Sequence, residues 1–173
     1  MNSYPSVKGT DMQLGHDADV SSAIAALCGD REGPSQKRHL DLLASAVAAE
    51  SVATSIAQQL RANGIQTIVT WDTPNTAVLA HIVSRELSCA TALAHEQEGI
   101  VELTGCSFNE HDRTLVMSDE FETPNSLHAL TGVAESRSLT VVAVAAILGT
   151  TPLDEYVQAS TDITVVVAES LDP

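Results

Sequence analysis

The sequence predicts one α/β domain, in which helices cover both faces of a parallel sheet. From Ile65 onward, strand-like runs and amphipathic helical runs alternate along the chain, which is the pattern of an open parallel sheet. The run LTVVAVAAIL at 139–148 has no polar alternation, as is typical of a parallel strand covered on both faces. Two near-copies of one motif, WDTPNT at 71–76 and FETPNS at 121–126, each stand between a strand-like run and a helical run. We therefore expect both motifs at the carboxyl ends of strands, where such sheets bind ligands.

The N-terminal third of the chain is predicted to be helical after a mobile tail. Residues 1–17 show no sustained period, so the tail is assigned to them and the single domain to residues 18–173. A short helix is predicted over Asp19–Cys28, and Gly, Asp and Pro at 29–35 end it. The longest helix is predicted over 36–63, up to Gly64. Its apolar stripe recurs at every fourth position and is widened by two further residues: Leu40, Ala44, Ala48, Val52, Ile56 and Leu60, with Leu43 and Val47.

The remaining strands and helices are predicted from the period of the apolar residues and from the positions of turn residues. Strands are predicted at 65–71, 90–94, 114–117, 139–148 and 163–168, and the run 99–103 could be another. Helices are predicted over 74–87 and 124–135, with a connector or helical turn at 152–160. These segments predict a doubly wound sheet of about five strands.

Composition limits the classes of partner and the cellular location. Asp and Glu number 23 against 8 Lys and Arg in 173 residues, a net charge of −15. So much negative charge argues against nucleic acid and membrane surfaces as partners. No apolar run is long enough to span a membrane, and no secretory signal is visible. Cys28, Cys89 and Cys106 lack C-x-x-C spacing and are interpreted as reduced, mostly buried thiols of a cytoplasmic protein.

The stretch from Gly64 to Ser170 resembles the type I phosphoribosyltransferases, and the orotate-type enzymes most. The segment RTLVMSDEFETPNSLHAL is similar to the family's ribose-phosphate loop, and IVTWDTPNTAVLAHIVSREL is similar to its pyrophosphate loop and following helix. The runs VVAVAAIL and ITVVVAES match its late strands. The resemblance implies the family's fold, a homodimer to which the helix at 36–63 contributes, and a site for a sugar pyrophosphate with magnesium.

Both loops depart from the family's pattern where phosphate would bind. In the ribose-phosphate loop, Asp119 takes the place of the second of two acids, which implies contact with ligand hydroxyls, and Ser118 replaces the first. Thr123 and Ser126 keep the hydroxyl positions. The two glycines of this loop are replaced by Pro124 and Asn125, and the glycines of the pyrophosphate loop are replaced by Trp71, Asn75 and Thr76.

These replacements remove features that hold phosphate. Proline has no N–H, so each Thr-Pro-Asn sequence deletes one donor from the first turn of a helix. Asp72 and Glu122 also bring negative charge close to the expected phosphate positions. The family's basic mobile loop is replaced by HEQEGIVELTG, and no Lys or Arg occurs between Arg85 and Arg113. We infer that ordinary binding of ribose pyrophosphate has been lost.

Other interpretations of the same residues stay open at this point. Thr followed by Pro is also a good helix start, so each motif can be a helix cap alone. Asp119 and Glu120, with His95, are candidates for acid–base catalysis. The acids at 119, 120 and 122, with Asp72 and His95, could also form an oxygen-rich magnesium or manganese site, although no ligand motif supports it. Trp71 could stack on a planar ligand or fill an apolar gap.

Three hypotheses about function follow. In the first, the crevice binds a neutral or cationic small molecule, such as a polyol or an amine, and acts on it through carboxylates and a histidine. In the second, the protein is a non-catalytic module that senses a ligand or binds a partner. In the third, it remains a divergent orotate-type transferase. The predicted ligand-binding residues are Trp71, Asp72, Thr73, Asn75, Thr76, Ser118, Asp119, Glu122, Thr123, Asn125 and Ser126.

Overall fold

A six-stranded sheet lies at the centre of the computed structural model, which describes residues 11–28, 40–159 and 162–169. Its order is β3-β2-β1-β4-β5-β6, and all neighbours are parallel except β2 and β3. The strands are β1 (Thr67–Trp71), β2 (Ala90–Gln97), β3 (Ile100–Thr104), β4 (Arg113–Ser118), β5 (Thr140–Leu148) and β6 (Thr164–Glu169). The predicted α/β sheet is confirmed, with six strands instead of about five because β3 joins as an antiparallel edge.

Helices cover both faces of this sheet and build two apolar cores. The helices are α1 (Asp11–Leu27), α2 (Ala46–Leu60), α3 (Pro74–Leu87), α4 (Pro124–Ser136) and α5 (Thr151–Ala159). The first three pack on one face, and α4 and α5 pack on the other. Strand β5 supplies both cores in alternation, because Ala143 and Ala145 face α1–α3 while Val144 and Ala146 face α4 and α5. Within the described residues, no helix has the length and apolar character needed to cross a bilayer.

The first helix is longer than the sequence predicts. It has 17 residues and begins at Asp11, so that residues 11–17 of the predicted tail belong to it. Residues 1–10 lie outside the described part of the chain. The 15-residue helix α2 is therefore not the longest.

The predicted helix over 36–63 was wrong at residues 40–45, and its first four residues lie outside the described part of the chain. Residues 29–39 are not described, and α2 begins at Ala46, after Ser45 caps it by accepting a hydrogen bond from Ala48 N (3.3 Å). The apolar period continues to Leu40, but residues 41–45 are not helical, and side chains accept hydrogen bonds from the N–H groups of Leu42 and Leu43. The two residues expected to widen the stripe, Leu43 and Val47, are 66% and 79% exposed.

The run 99–103, offered by the sequence as a further strand, is confirmed as β3, and it forms a β-hairpin with β2 where the resemblance implied a mobile loop. Strand β2 continues to Gln97 and pairs with β3, placing His95 opposite Glu102. Glu98 and Gly99 form the two-residue turn, with φ of 53° and 80°. Positive φ at both turn residues is the geometry that matches the twist of hairpin strands.

Candidate functional site

A cavity of about 660 Å³ lies at the carboxyl ends of β1 and β4, between the starts of α3 and α4. The two strands are parallel neighbours, so the motif that follows each strand reaches the same edge of the sheet. The cavity is lined by Asp41, Leu43, Trp71, Thr73, Pro74, Asn75, Thr76, Ser118, Asp119, Glu120, Glu122, Thr123 and Ser126.

The first motif forms a complete capping box at the start of α3. Thr73 Oγ1 accepts a hydrogen bond from Thr76 N, and Thr76 Oγ1 accepts one from Thr73 N, both at 3.3 Å. The Thr76 hydroxyl also donates to the carbonyl of Trp71. Pro74 is the first helical residue, where its missing N–H costs no helical bond. The local sequence thus stabilises this helix end with its own side chains.

The second motif caps α4 less completely and uses its aromatic residue differently. Thr123 Oγ1 accepts from Ser126 N at 3.3 Å, without the reciprocal side-chain bond of a capping box. Phe121 is fully buried in the core beneath α4, and its carbonyl accepts from Thr150 Oγ1 at 2.9 Å. Trp71, in contrast, lines the cavity. Two similar sequences therefore perform different tasks.

The carboxylate of Asp119 is held in one orientation beside the cavity. Its Oδ1 accepts hydrogen bonds from Ser118 Oγ (3.1 Å) and Glu120 N (3.0 Å), and its Oδ2 accepts from Asn75 Nδ2 (3.1 Å). Its backbone carbonyl accepts from the N–H groups of Ile147 and Leu148 in β5. A carboxylate fixed in this way presents its remaining lone pairs to a ligand without reorganisation.

Three of the predicted site residues do not line the cavity. Asp72 and Asn125 are exposed at the helix starts. His95 lies on β2, and its Nε2 is 3.8 Å from Oε2 of Glu102 on β3. The structure thus separates His95 from Asp119 and Glu120, the carboxylates with which acid–base catalysis was predicted.

Asp41 and Leu43 line the cavity although the sequence analysis did not select them. They precede α2 and lie 30 and 28 residues before Trp71, where the first motif begins. The Asn75 side chain joins their segment to the first motif, because its Nδ2 donates to Leu40 O and its Oδ1 accepts from Leu42 N. No local pattern could reveal this placement. Pro74, which was treated as a helix start alone, also lines the cavity.

The described residues contain no group of three or more His, Cys, Asp and Glu side chains that could hold a metal ion. The acids at 119, 120 and 122 do not converge with Asp72 and His95 in the way a magnesium or manganese site requires. These residues therefore do not fit the oxygen-rich metal site considered from the sequence.

Burial disfavours Cys89 and Cys106 as nucleophiles. All three are free and partly buried. Burial raises the pKa of Cys89 to about 11, and burial together with the negative charge of Asp112 raises that of Cys106. A raised pKa suppresses the thiolate, which is the reactive form.

Alkylation of Cys89 by iodoacetamide at pH 8 is expected to be about tenfold slower in the native protein than in the unfolded chain. A pKa of about 11 in place of the ordinary thiol value of 9.0 leaves about a hundredfold less thiolate. The greater nucleophilicity of a more basic thiolate recovers about tenfold. Site-resolved mass spectrometry measures the rate, with the protein in denaturant as the reference. Equal rates in the two states would contradict the raised pKa.

Solved structures with the same fold are phosphoribosyltransferases. The adenine phosphoribosyltransferase of Rhodothermus marinus matches with a TM-score of 0.70 and 13% identity, over 92% of this chain and 100% of that one. The orotate phosphoribosyltransferase of Mycobacterium tuberculosis matches with a TM-score of 0.65 and 17% identity, over 91% of this chain and 96% of that one. The adenine phosphoribosyltransferase of Saccharomyces cerevisiae matches with a TM-score of 0.69 and 11% identity, over 88% of this chain and 99% of that one. No family model and no curated protein matches the sequence. The chain has the type I phosphoribosyltransferase fold.

Proposed function

We propose that the cavity between α3 and α4 binds a neutral or cationic small molecule instead of ribose pyrophosphate. One observation carries the proposal. Four carboxylate side chains, Asp41, Asp119, Glu120 and Glu122, line this cavity, and none of its described lining residues is Lys or Arg. A site for a highly anionic ligand needs the opposite balance of charge.

The two helix starts add to this argument. Pro74 and Pro124 occupy the first helical positions, where a phosphate site would present a backbone N–H. One carboxylate about 4 Å from a phosphate repels it by roughly 4 kcal/mol at an effective dielectric of 20. That repulsion corresponds to about a thousandfold in affinity.

The size and lining of the cavity suit a small molecule with polar groups. Its volume of about 660 Å³ lies within the usual range for ligand pockets. The fixed carboxylate of Asp119 can accept hydrogen bonds from hydroxyl or ammonium groups. Trp71 adds a ring face on which a planar or cationic group can stack. His95, the histidine considered for acid–base chemistry, is not among the residues that line the cavity.

Phosphoribosyl transfer is the second candidate, and the fold favours it. The similar structures, at 11 to 17% identity, are adenine and orotate phosphoribosyltransferases that cover most of this chain. Asp119 also keeps an acid at the place implied by the resemblance. A fold shared at this identity does not fix the activity, so binding measurements must separate the two candidates.

Calorimetry with ribose pyrophosphate and Mg²⁺ is expected to give no binding heat at millimolar ligand. A panel of amines, amino sugars, polyols and nucleosides, titrated against Trp71 fluorescence, is expected to contain at least one binder. Trp71 is the only Trp of the chain and lines the cavity, so its emission reports occupancy directly. Saturable binding of ribose pyrophosphate would overturn the proposal and support transfer. If no compound of the panel changes the Trp71 fluorescence, a module that binds a protein partner is favoured. Co-purification of a second polypeptide would support that function.

Two charge-neutralising variants test whether the ligand binds in this cavity. For a cationic ligand, Glu122→Gln is expected to weaken binding by about 1 kcal/mol, or about fivefold, because it removes one carboxylate from the lining. Asp72→Asn is the matched control, since Asp72 belongs to the other motif and lies outside the lining. Equal effects of the two variants would place the ligand elsewhere.

A further inference from the structure

Asn75 joins three separate segments at the edge of the cavity. Its Oδ1 accepts a hydrogen bond from Leu42 N (3.0 Å), and its Nδ2 donates to Leu40 O (2.7 Å) and to Asp119 Oδ2 (3.1 Å). Both N–H donors of the amide are therefore used inside the protein. A reversed amide would place donor against donor at Leu42, so this orientation is the one that the partners allow.

The segment Leu40–Leu43 forms one wall of the cavity, and we call it the wall segment. Asp41 and Leu43 face the cavity, whereas Leu40 and Leu42 are buried. One side of the wall segment is attached to the end of α1, where Asp41 N donates to Leu27 O at 2.9 Å. The other side is attached to the start of α3 by Asn75.

The corresponding residue of the second motif forms none of these bonds. Asn125 is exposed, does not line the cavity, and makes no side-chain hydrogen bond with any described residue. The same Thr-Pro-Asn sequence therefore caps a helix in both places, and only Asn75 has a second task. Capping of α3 is already provided by Thr73 and Thr76, so capping does not account for this asparagine.

We propose that Asn75 is a positioning residue that holds the wall segment against the cavity and couples it to the carboxylate of Asp119. A ligand that donates a hydrogen bond to Asp119 Oδ2 shares this oxygen with Asn75 Nδ2 and weakens the bond between them. Occupancy at Asp119 then changes the hold on Leu40 and Leu42, and with it the position of the wall segment. This coupling between the wall segment and Asp119 rests on the proposed function in one respect, since it concerns the same cavity. It can be tested without a ligand.

Acrylamide quenching of Trp71 and amide exchange at Leu42, followed by NMR, test the hold on the wall segment. Asn75→Ala is expected to raise the quenching constant of Trp71, because the wall no longer covers that side of the cavity. Exchange at Leu42 should become about two- to tenfold faster, since its N–H loses its acceptor. Far-UV circular dichroism confirms that the variant is folded. Asn125→Ala is the matched control and should change neither quantity.

Asp119→Ala tests the coupling, and it keeps the proposal testable if Asn75→Ala does not fold. The residue at 119 is not bonded to Leu42, but its loss removes one partner of Asn75 and should speed Leu42 exchange about twofold. Ala77, whose N–H donates to Thr73 O in the first turn of α3, is the reference for general loosening and should not change. In the double variant, Leu42 should exchange as in Asn75→Ala alone.

Unchanged Trp71 quenching in folded Asn75→Ala would overturn the hold on the wall segment. Additive effects in the double variant, or unchanged Leu42 exchange in Asp119→Ala, would overturn the coupling. Since none of these measurements contains a ligand, either result leaves the calorimetric test of the proposed function untouched.

Discussion

Phe121→Ala is expected to lower the free energy of unfolding by about 3–5 kcal/mol, the range for deleting a buried aromatic ring. Phe121 is 0% exposed and packs among the apolar residues beneath α4 and α5. Removal of the ring leaves a cavity that its close-packed neighbours fill only in part. Urea unfolding followed by circular dichroism gives the difference in free energy.

Two controls separate this effect from a general loss of apolar surface. Phe121→Leu keeps most of the volume and should cost less than about 1.5 kcal/mol. Leu43→Ala removes an apolar side chain that is 66% exposed, and should change stability by less than about 0.5 kcal/mol. A loss below about 1 kcal/mol in Phe121→Ala would mean that the ring is not part of the core.

Thr76→Val is expected to destabilise the protein by about 1–3 kcal/mol, because it leaves buried polar groups without a partner. Thr76 is 1% exposed, and its hydroxyl contacts Thr73 N, Thr73 Oγ1 and the carbonyl of Trp71. Valine keeps the shape of threonine but forms none of these bonds. Chemical denaturation measures the loss.

Ser126→Ala in the second motif is the matched control for Thr76→Val. The backbone N–H of Ser126 reaches Thr123 Oγ1, but no described partner is found for its hydroxyl, so the variant should cost less than about 0.5 kcal/mol. Similar losses in the two variants would show that the two helix caps are equivalent, contrary to the geometry.

Both pairs of variants concern the divergence of two motifs that are nearly identical in sequence. The first motif contributes an aromatic ring to the cavity, completes a capping box and holds the wall segment through Asn75. The second buries its aromatic ring and leaves Asn125 exposed. From residue types alone, Asn75 and Asn125 were both predicted to bind ligand, so this difference between the motifs was not foreseen.

Most of the cavity lining could nevertheless be predicted from the two motifs. Each follows a strand of a parallel sheet, and β1 and β4 are neighbours, so residues such as Thr73 and Asp119 meet at one edge. His95 was placed with them because it also follows a predicted strand. Strand β2 in fact continues past that point and pairs with β3, which carries His95 into the hairpin.

The succession of strands and helices along the chain, and the starts of α3 and α4 at Pro74 and Pro124, could be predicted from the sequence alone. Those features depend on hydrophobic period and on capping, which act over a few residues. The places of Asp41 and Leu43 at the cavity follow, in contrast, from the tertiary structure. These depend on pairing between distant residues, such as the bond from Leu42 N to Asn75, which spans 33 positions. The free energy of such a contact depends on which backbone groups the complete fold brings together, and no local pattern contains that information.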